Sequence, residues 1–142
     1  MSEAAFLRRM TEELLTEAER LATVRPHAYG FRFGPQGIEV VPEEAKIIED
    51  VLTQLASIKF MKCAKILELI AAEYRAAVPQ IRNRSGQPFT PKKLAKLCNP
   101  LVASLQPNRF GILVSVANYP QIIDGKTFKE AYSRLRRESL LE

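Results

Sequence analysis

The sequence predicts a mainly α-helical fold with one small β-hairpin and a helix-turn-helix-like middle. Three observations lead to this prediction. Apolar residues recur at helical spacing along most of the chain, and a short run of alternating aromatics precedes a Gly-Pro-Gln-Gly turn. A long apolar helix is then followed by a polar loop and a short lysine-bearing helix. The chain has 142 residues, 46% of them apolar and 26% charged, which suits one compact domain.

The N-terminal part, residues 3–22, is predicted to be an amphipathic helix. Pro26 disfavours a helical conformation in the residue before it, so the helix ends there. We therefore divide the chain into an N-terminal amphipathic helix, 1–25, and a following region, 26–142, within one compact domain overall. The apolar stripe of the helix consists of Phe6, Leu7, Met10, Leu14, Leu15 and Leu21.

A hairpin and a helix are predicted next. Tyr29, Phe31 and Phe33 alternate along a first strand, and residues 38–41 form the return strand. Pro42 begins a helix with two glutamates in its first turn, where carboxylates suit the positive end of the helix dipole. The residues expected to be buried on this helix are Ala45, Ile48, Val51, Leu52 and Leu55.

The second half of the chain is predicted to hold two further helices and a strand around a basic loop. One helix spans 58–77, the polar loop 80–88 follows it, residues 110–116 form a strand, and Asp124 caps the last helix. The buried residues expected on the two helices are Cys63, Ile66, Leu67, Ile70 and Tyr74, then Phe128, Ala131, Tyr132 and Leu135.

The stretch 89–100, FTPKKLAKLCNP, predicts a short helix with one basic face. Thr90 can cap it, Pro91 suits its first position, and the Asn-Pro pair ends it. The core stripe is formed by Leu94, Leu97, Cys98 and Leu101. The opposite face carries Lys92, Lys93 and Lys96.

Charge is distributed unevenly along the chain. The net charge is +5, and between Tyr74 and Ile123 there are seven Lys or Arg residues and no Asp or Glu. A long segment of one sign is typical of a surface that binds a polyanion, although a basic face that only keeps a protein soluble has the same composition.

Catalytic and metal-binding patterns are not evident. Cys63 and Cys98 have no CxxC partners and are predicted to be buried, reduced thiols, and His27 is the single histidine. No phosphate-binding glycine loop, transmembrane run or signal-peptide core is found. We therefore expect an intracellular, non-enzymatic protein with no cofactor, metal, small-molecule substrate or membrane association.

Several stretches together resemble one protein family. They are PHAYGFR at 26–32, PEEA at 42–45, SGQPFTP at 85–91, NPL at 99–101 and IIDGKTF at 122–128. In this order they are similar to the DNA-binding "recombinase" domain of the large serine recombinases, the phage integrases and transposon resolvases. The likeness covers about residues 26–135.

This resemblance implies a helix-turn-helix or winged-helix-like domain that binds double-stranded DNA. The family's catalytic domain and its zinc-ribbon domain have no counterpart in this chain, so we expect a cytoplasmic, nucleoid-associated transcriptional regulator or accessory recombination factor, with homodimer formation left open. The residues expected to face DNA are Arg82, Arg84, Ser85, Thr90, Lys92, Lys93, Lys96 and Arg109.

Two alternatives stay open from the sequence. The chain is a protein–protein interaction or oligomerisation module whose basic face meets an acidic partner, or it is the DNA-binding part of a full-length serine recombinase. In the first alternative, the 58–77 helix and the N-terminal amphipathic helix form an oligomerisation or docking surface, and the basic face meets the acidic partner.

Overall fold

The computed structural model describes residues 28–141 of the chain. Within that part, four α-helices and two small antiparallel hairpins form a mixed α/β arrangement with more helix than strand. The coarse prediction is thus confirmed, and a second hairpin is added to it. The predicted N-terminal helix and His27 lie outside the described residues.

The first hairpin leads directly into the first helix. Strand β1 (Phe31–Gly34) pairs with β2 (Gly37–Val40), with Phe31 opposite Val40. Helix α1 (Pro42–Ser57) follows, with Pro42 in its first turn as predicted. Phe31 is fully buried, whereas Phe33 is 58% exposed, so the strand buries only part of its aromatic row.

Helix α1 ends without a glycine or proline. Helix α2 runs from Cys63 to Ala76 rather than from residue 58, because the chain between the helices is extended. The Arg134 guanidinium holds this turn by donating to the carbonyl oxygens of Leu55, Ile58 and Met61 at 2.5, 2.6 and 2.7 Å. A contact from the other end of the chain therefore fixes the boundary, and no local sequence pattern marks it.

The second half contains short elements. They are helix α3 (Pro91–Ala95), a 3₁₀ turn (Pro100–Ala103), strands β3 (Leu105–Pro107) and β4 (Leu113–Ser115), and helix α4 (Gly125–Arg137). The strand predicted at 110–116 is wrong at its start, because Gly111 has a φ of +78° and turns the chain there. Asp124 caps α4 as predicted, accepting from the Thr127 amide at 2.9 Å.

One apolar core joins these elements. Helix α4 packs on α1, and α3 packs on α2. Every core residue predicted for α2 and for the stretch 89–100 is buried, while Ala45 and Tyr132 are only partly so. The helix predicted in that stretch is shorter than expected, because α3 ends at Ala95, before the Asn-Pro pair. Among residues 28–141, no helix has the length and apolar character needed to span a bilayer.

Candidate nucleic-acid interface

Helix α3 presents the lysines singled out in the sequence. The Thr90 hydroxyl caps it by accepting from the Lys93 amide at 3.2 Å, and Leu94 and Ala95 are buried against α2. Lys92 and Lys96 lie one helical turn apart and are exposed. The helix is therefore anchored on one side and carries cations on the other.

The three lysines do not point the same way. Lys93 is half-buried, and its Nζ donates to the Gln87 side chain at 2.7 Å, towards the preceding loop. Lys92 and Lys96 instead line a groove of about 650 Å³ between α2, α3 and the C-terminal residues of the described chain. Glu68 lies on the same groove, and Leu67 and Leu140 contribute apolar walls. The predicted single face is thus split between a loop side and a groove side.

The loop 82–88 has a defined shape. The Asn83 side chain accepts from the amides of Ser85 and Gln87 at 3.0 and 2.9 Å, which closes a turn. The Arg82 guanidinium donates to the Gly86 carbonyl at 2.7 Å, within the loop itself. Arg82 and Ser85 are exposed, so the loop presents both of them outwards.

The Arg84 side chain bonds to other parts of the same chain. Its guanidinium donates to both carboxylate oxygens of Glu44, at 2.7 Å from Nε and 2.5 Å from Nη2. Nη2 also lies 2.5 Å from the Phe31 carbonyl oxygen and 3.3 Å from that of Ala28. Such a bidentate, charge-assisted pair is among the stronger polar contacts in proteins. Arg84 thereby ties the basic loop to β1 and α1.

The Arg84–Glu44 pair lies beside an aromatic cluster. The guanidinium carbon is 5.7 Å from the centre of the Tyr29 ring, and that ring meets Phe89 edge-on at 5.7 Å. Burial, and secondarily the Glu44 carboxylate, raises the pKa of Tyr29 to about 12 despite the nearby arginine. The phenol therefore stays neutral at physiological pH, and its ring packs against Arg84 of the loop.

Gly30 lies at the centre of this region. Its φ is +101°, its amide donates to Glu44 at 2.8 Å, and an added Cβ would lie 2.6 Å from Ile48 and 2.8 Å from Ile122. Residues far apart in the sequence thus meet at one point beneath the basic loop.

Arg109 belongs to the tip of the β3–β4 hairpin. Its guanidinium carbon lies 4.9 Å from the centre of the Phe110 ring, and both residues are exposed. Arg109 was among the residues predicted to face DNA, whereas Phe110 was not, because its place in an apolar run predicted a strand.

The ion pairs show which cations are already neutralised. In the described part of the chain they are Arg32–Glu39, Lys59–Glu130, Lys65–Glu68 and Arg84–Glu44. Of the eight predicted site residues, only Arg84 takes part in one of these pairs. Between residues 28 and 141, therefore, Arg82, Lys92, Lys93, Lys96 and Arg109 have no carboxylate within ion-pair distance.

Two residues that hold the predicted site residues were not themselves predicted as part of the site. Glu44 and Gln87 hold the predicted residues Arg84 and Lys93, yet nothing in the sequence distinguishes them from ordinary surface residues. Only their positions in the resembling stretches, 42–45 and 85–91, gave a hint.

The thiols fit their predicted structural role. Burial raises the pKa of Cys63 to about 11 and that of Cys98 to about 12, so both remain protonated at neutral pH. Residues 28–141 hold no group of three or more His, Cys, Asp or Glu side chains placed to bind a metal ion.

Comparison with known proteins adds no relative to this description. No protein-family model, curated protein or solved structure matches this chain.

Proposed function

We propose that this chain is a non-catalytic protein that binds double-stranded DNA through the surface formed by the loop 82–88, helix α3 and the β3–β4 hairpin. The observation that carries the proposal is a set of five exposed or half-exposed cations on these elements that have no carboxylate partner among residues 28–141. They are Arg82, Lys92, Lys93, Lys96 and Arg109. Because DNA carries a regular row of phosphates, such a surface gains affinity by releasing counterions.

The arrangement of elements supports a winged-helix-like reading. In such domains a helix that follows a turn is presented to the major groove, and a hairpin beyond it reaches the backbone. Here α2, α3 and the β3–β4 hairpin follow one another in the same chain order. The connection 77–90 is longer than the turn of a simple helix-turn-helix, and the Arg84–Glu44 pair compensates by fixing it to the core.

The resemblance to the recombinase domain also supports the proposal. Tyr29 and Gly30 from the first resembling stretch, Glu44 from the second, Phe89 from the third and Ile122 from the last lie around one small region. Because these stretches meet in one region of the fold, we interpret them as a single family pattern and not as separate chance matches.

The residues divide into two roles under this proposal. Lys92, Lys93 and Lys96, together with Arg82 and Arg109, contact phosphates, and lysines supply mainly sequence-neutral attraction. Arg84 and Thr90 position these contacts from within. The protein then acts as a transcriptional regulator or an accessory recombination factor in the cytoplasm, at the nucleoid.

The test is fluorescence anisotropy of a labelled duplex with the full chain at several salt concentrations. If about five phosphates are neutralised, log K should fall with log salt with a slope of about −4 to −5. The triple change of Lys92, Lys93 and Lys96 to Glu should weaken binding severely and reduce the slope by about 3.

A matched control changes Lys46, Lys126 and Lys129 to Glu, since these exposed lysines lie on α1 and α4 and the net charge changes equally. Circular dichroism checks that both variants remain folded. Undetectable binding, binding that does not depend on salt, or equal losses in the two variants would refute the proposal. Salt-sensitive capture of an acidic protein in place of DNA would support the interaction-module alternative.

A further inference from the structure

The tip of the β3–β4 hairpin carries apolar side chains that the core does not use. Phe110 is 72% exposed, Ile112 60% and Val114 39%. Phe110 and Ile112 flank Gly111 in the turn, and Val114 lies in β4, so the three exposed side chains lie at the hairpin tip and on the strand next to it. Isolated exposed apolar residues are ordinary, but a large aromatic at the end of a projecting hairpin is well placed to contact a partner.

The tip is held rigidly for such a contact. The Asn108 side chain accepts from the amides of Phe110 and Ile112 at 2.8 and 3.0 Å, and the Asn108 amide donates to the Ile112 carbonyl at 2.8 Å. Gly111 closes the turn with a φ of +78°. Because the backbone around Phe110 is fixed before binding, little backbone entropy is lost when the ring is used.

Charge indicates which partner the tip fits. Arg109 lies against the Phe110 ring and has no carboxylate partner within residues 28–141, and the whole segment from Tyr74 to Ile123 lacks acids. An apolar ring beside an unneutralised guanidinium matches a nucleobase next to a phosphate, since rings stack on bases and apolar wedges enter base steps.

We propose that Phe110 inserts at a base step of the bound duplex and stacks on a nucleobase, with Arg109 on the adjacent phosphate. This inference rests on the proposed DNA-binding function and adds a contact to bases that the lysines alone do not supply. With this contact, the affinity for DNA depends on how readily the base step at Phe110 unstacks.

The chain contains no tryptophan, which permits a direct test. Phe110→Trp places a single indole at the tip, and its emission should be quenched when duplex DNA binds, because it stacks on a base. Phe33→Trp is the matched control, since Phe33 is a 58% exposed aromatic on the other hairpin. Its emission should change little.

Affinity gives a second readout. Phe110→Ala should weaken binding about 5- to 150-fold, the loss typical of one base–aromatic stack. Its salt slope should stay unchanged because no phosphate contact is lost, whereas Phe33→Ala should have no effect. Placing a mismatch in the duplex should strengthen binding of the unaltered chain but not of the Phe110→Ala variant, because unstacking is easier there.

The outcomes separate this inference from the proposed function. If the unaltered chain binds DNA while Phe110→Ala binds equally well and the new tryptophan is not quenched, the inference is wrong and the function stands. If the unaltered chain does not bind DNA, both fail. If sedimentation shows that Phe110→Ala dissolves a dimer of this chain, the tip is a protein interface and the inference is wrong.

Discussion

Replacing Arg134 by methionine should destabilise the fold through the turn between α1 and α2. Arg134 is only 8% exposed, and its guanidinium donates to three carbonyl oxygens of that turn. Methionine keeps the apolar length of the side chain but removes every donor. The change therefore isolates the hydrogen bonds from the apolar contacts of the stem.

The expected loss follows from the burial of the three acceptors. The bond to the Leu55 carbonyl is buried, whereas those to Ile58 and Met61 are partly buried and can be replaced by water. A buried acceptor left without a partner costs about 1–3 kcal/mol, and each part-buried one costs less. Relief of the desolvated guanidinium offsets part of this loss. The net reduction in the free energy of unfolding should be about 2–4 kcal/mol.

Urea unfolding followed by circular dichroism measures this loss. With a slope of about 1–3 kcal/mol/M, the midpoint should fall by about 0.7–4 M urea. Arg137→Met makes the same chemical change at an exposed position of the same helix and should shift the midpoint little. If the two variants lose equal stability, the guanidinium does not hold the turn and the reasoning is wrong.

Two further predictions concern the core. Gly30→Ala should lower the free energy of unfolding by about 2–4 kcal/mol, since it adds both backbone strain and crowding. Gly37→Ala is the control and adds strain alone, because Gly37 has a φ of +118° and no atom lies within 4 Å of the new Cβ. Equal losses of stability in urea unfolding would contradict the crowding at Gly30. Burial and a 2.7 Å hydrogen bond to Asp50 raise the pKa of Tyr74. The folded protein therefore holds the phenol proton more tightly than the unfolded chain does. The contribution of Tyr74 to stability is complete below about pH 10 and falls as pH rises. Tyr74→Phe should therefore make the loss of stability above pH 10 shallower, and an unchanged pH profile would contradict this.

Local patterns predicted the parts of the fold that depend on local chemistry. Thr90 and Asp124 cap their helices as expected, and Leu94, Leu97, Cys98 and Leu101 are all buried, although only Leu94 lies within α3. Each of these depends on residues within one or two turns, so the sequence pattern contains the whole cause.

Features that depend on distant partners could not be predicted. The break after Ser57 depends on Arg134, and the side-chain direction of Arg84 depends on Glu44, 40 residues earlier. The direction of Lys93 likewise depends on Gln87. Sequence spacing placed three lysines on one side of a helix, but helix α3 is too short, and its neighbours too specific, for that spacing to fix where each ammonium group lies.

Strand β3 was missed for a related reason. Three residues, Leu105–Pro107, carry no alternation of their own, and they form a strand because β4 folds back on them. The exposure of Phe110 follows from the same hairpin, since the turn at Gly111 places the ring beyond the paired strands.

The contacts from α4 to the α1–α2 turn have a consequence for the order in which the chain folds during synthesis. Besides the bonds from Arg134, the Glu138 carboxylate accepts from the Cys63 amide at 2.8 Å, across 75 residues of sequence. The ribosome makes α1 and α2 long before either partner exists, and domains complete their folding only as the needed segments emerge. The end of α1 and the start of α2 therefore stay incompletely bonded until the last turns of α4 have left the ribosome.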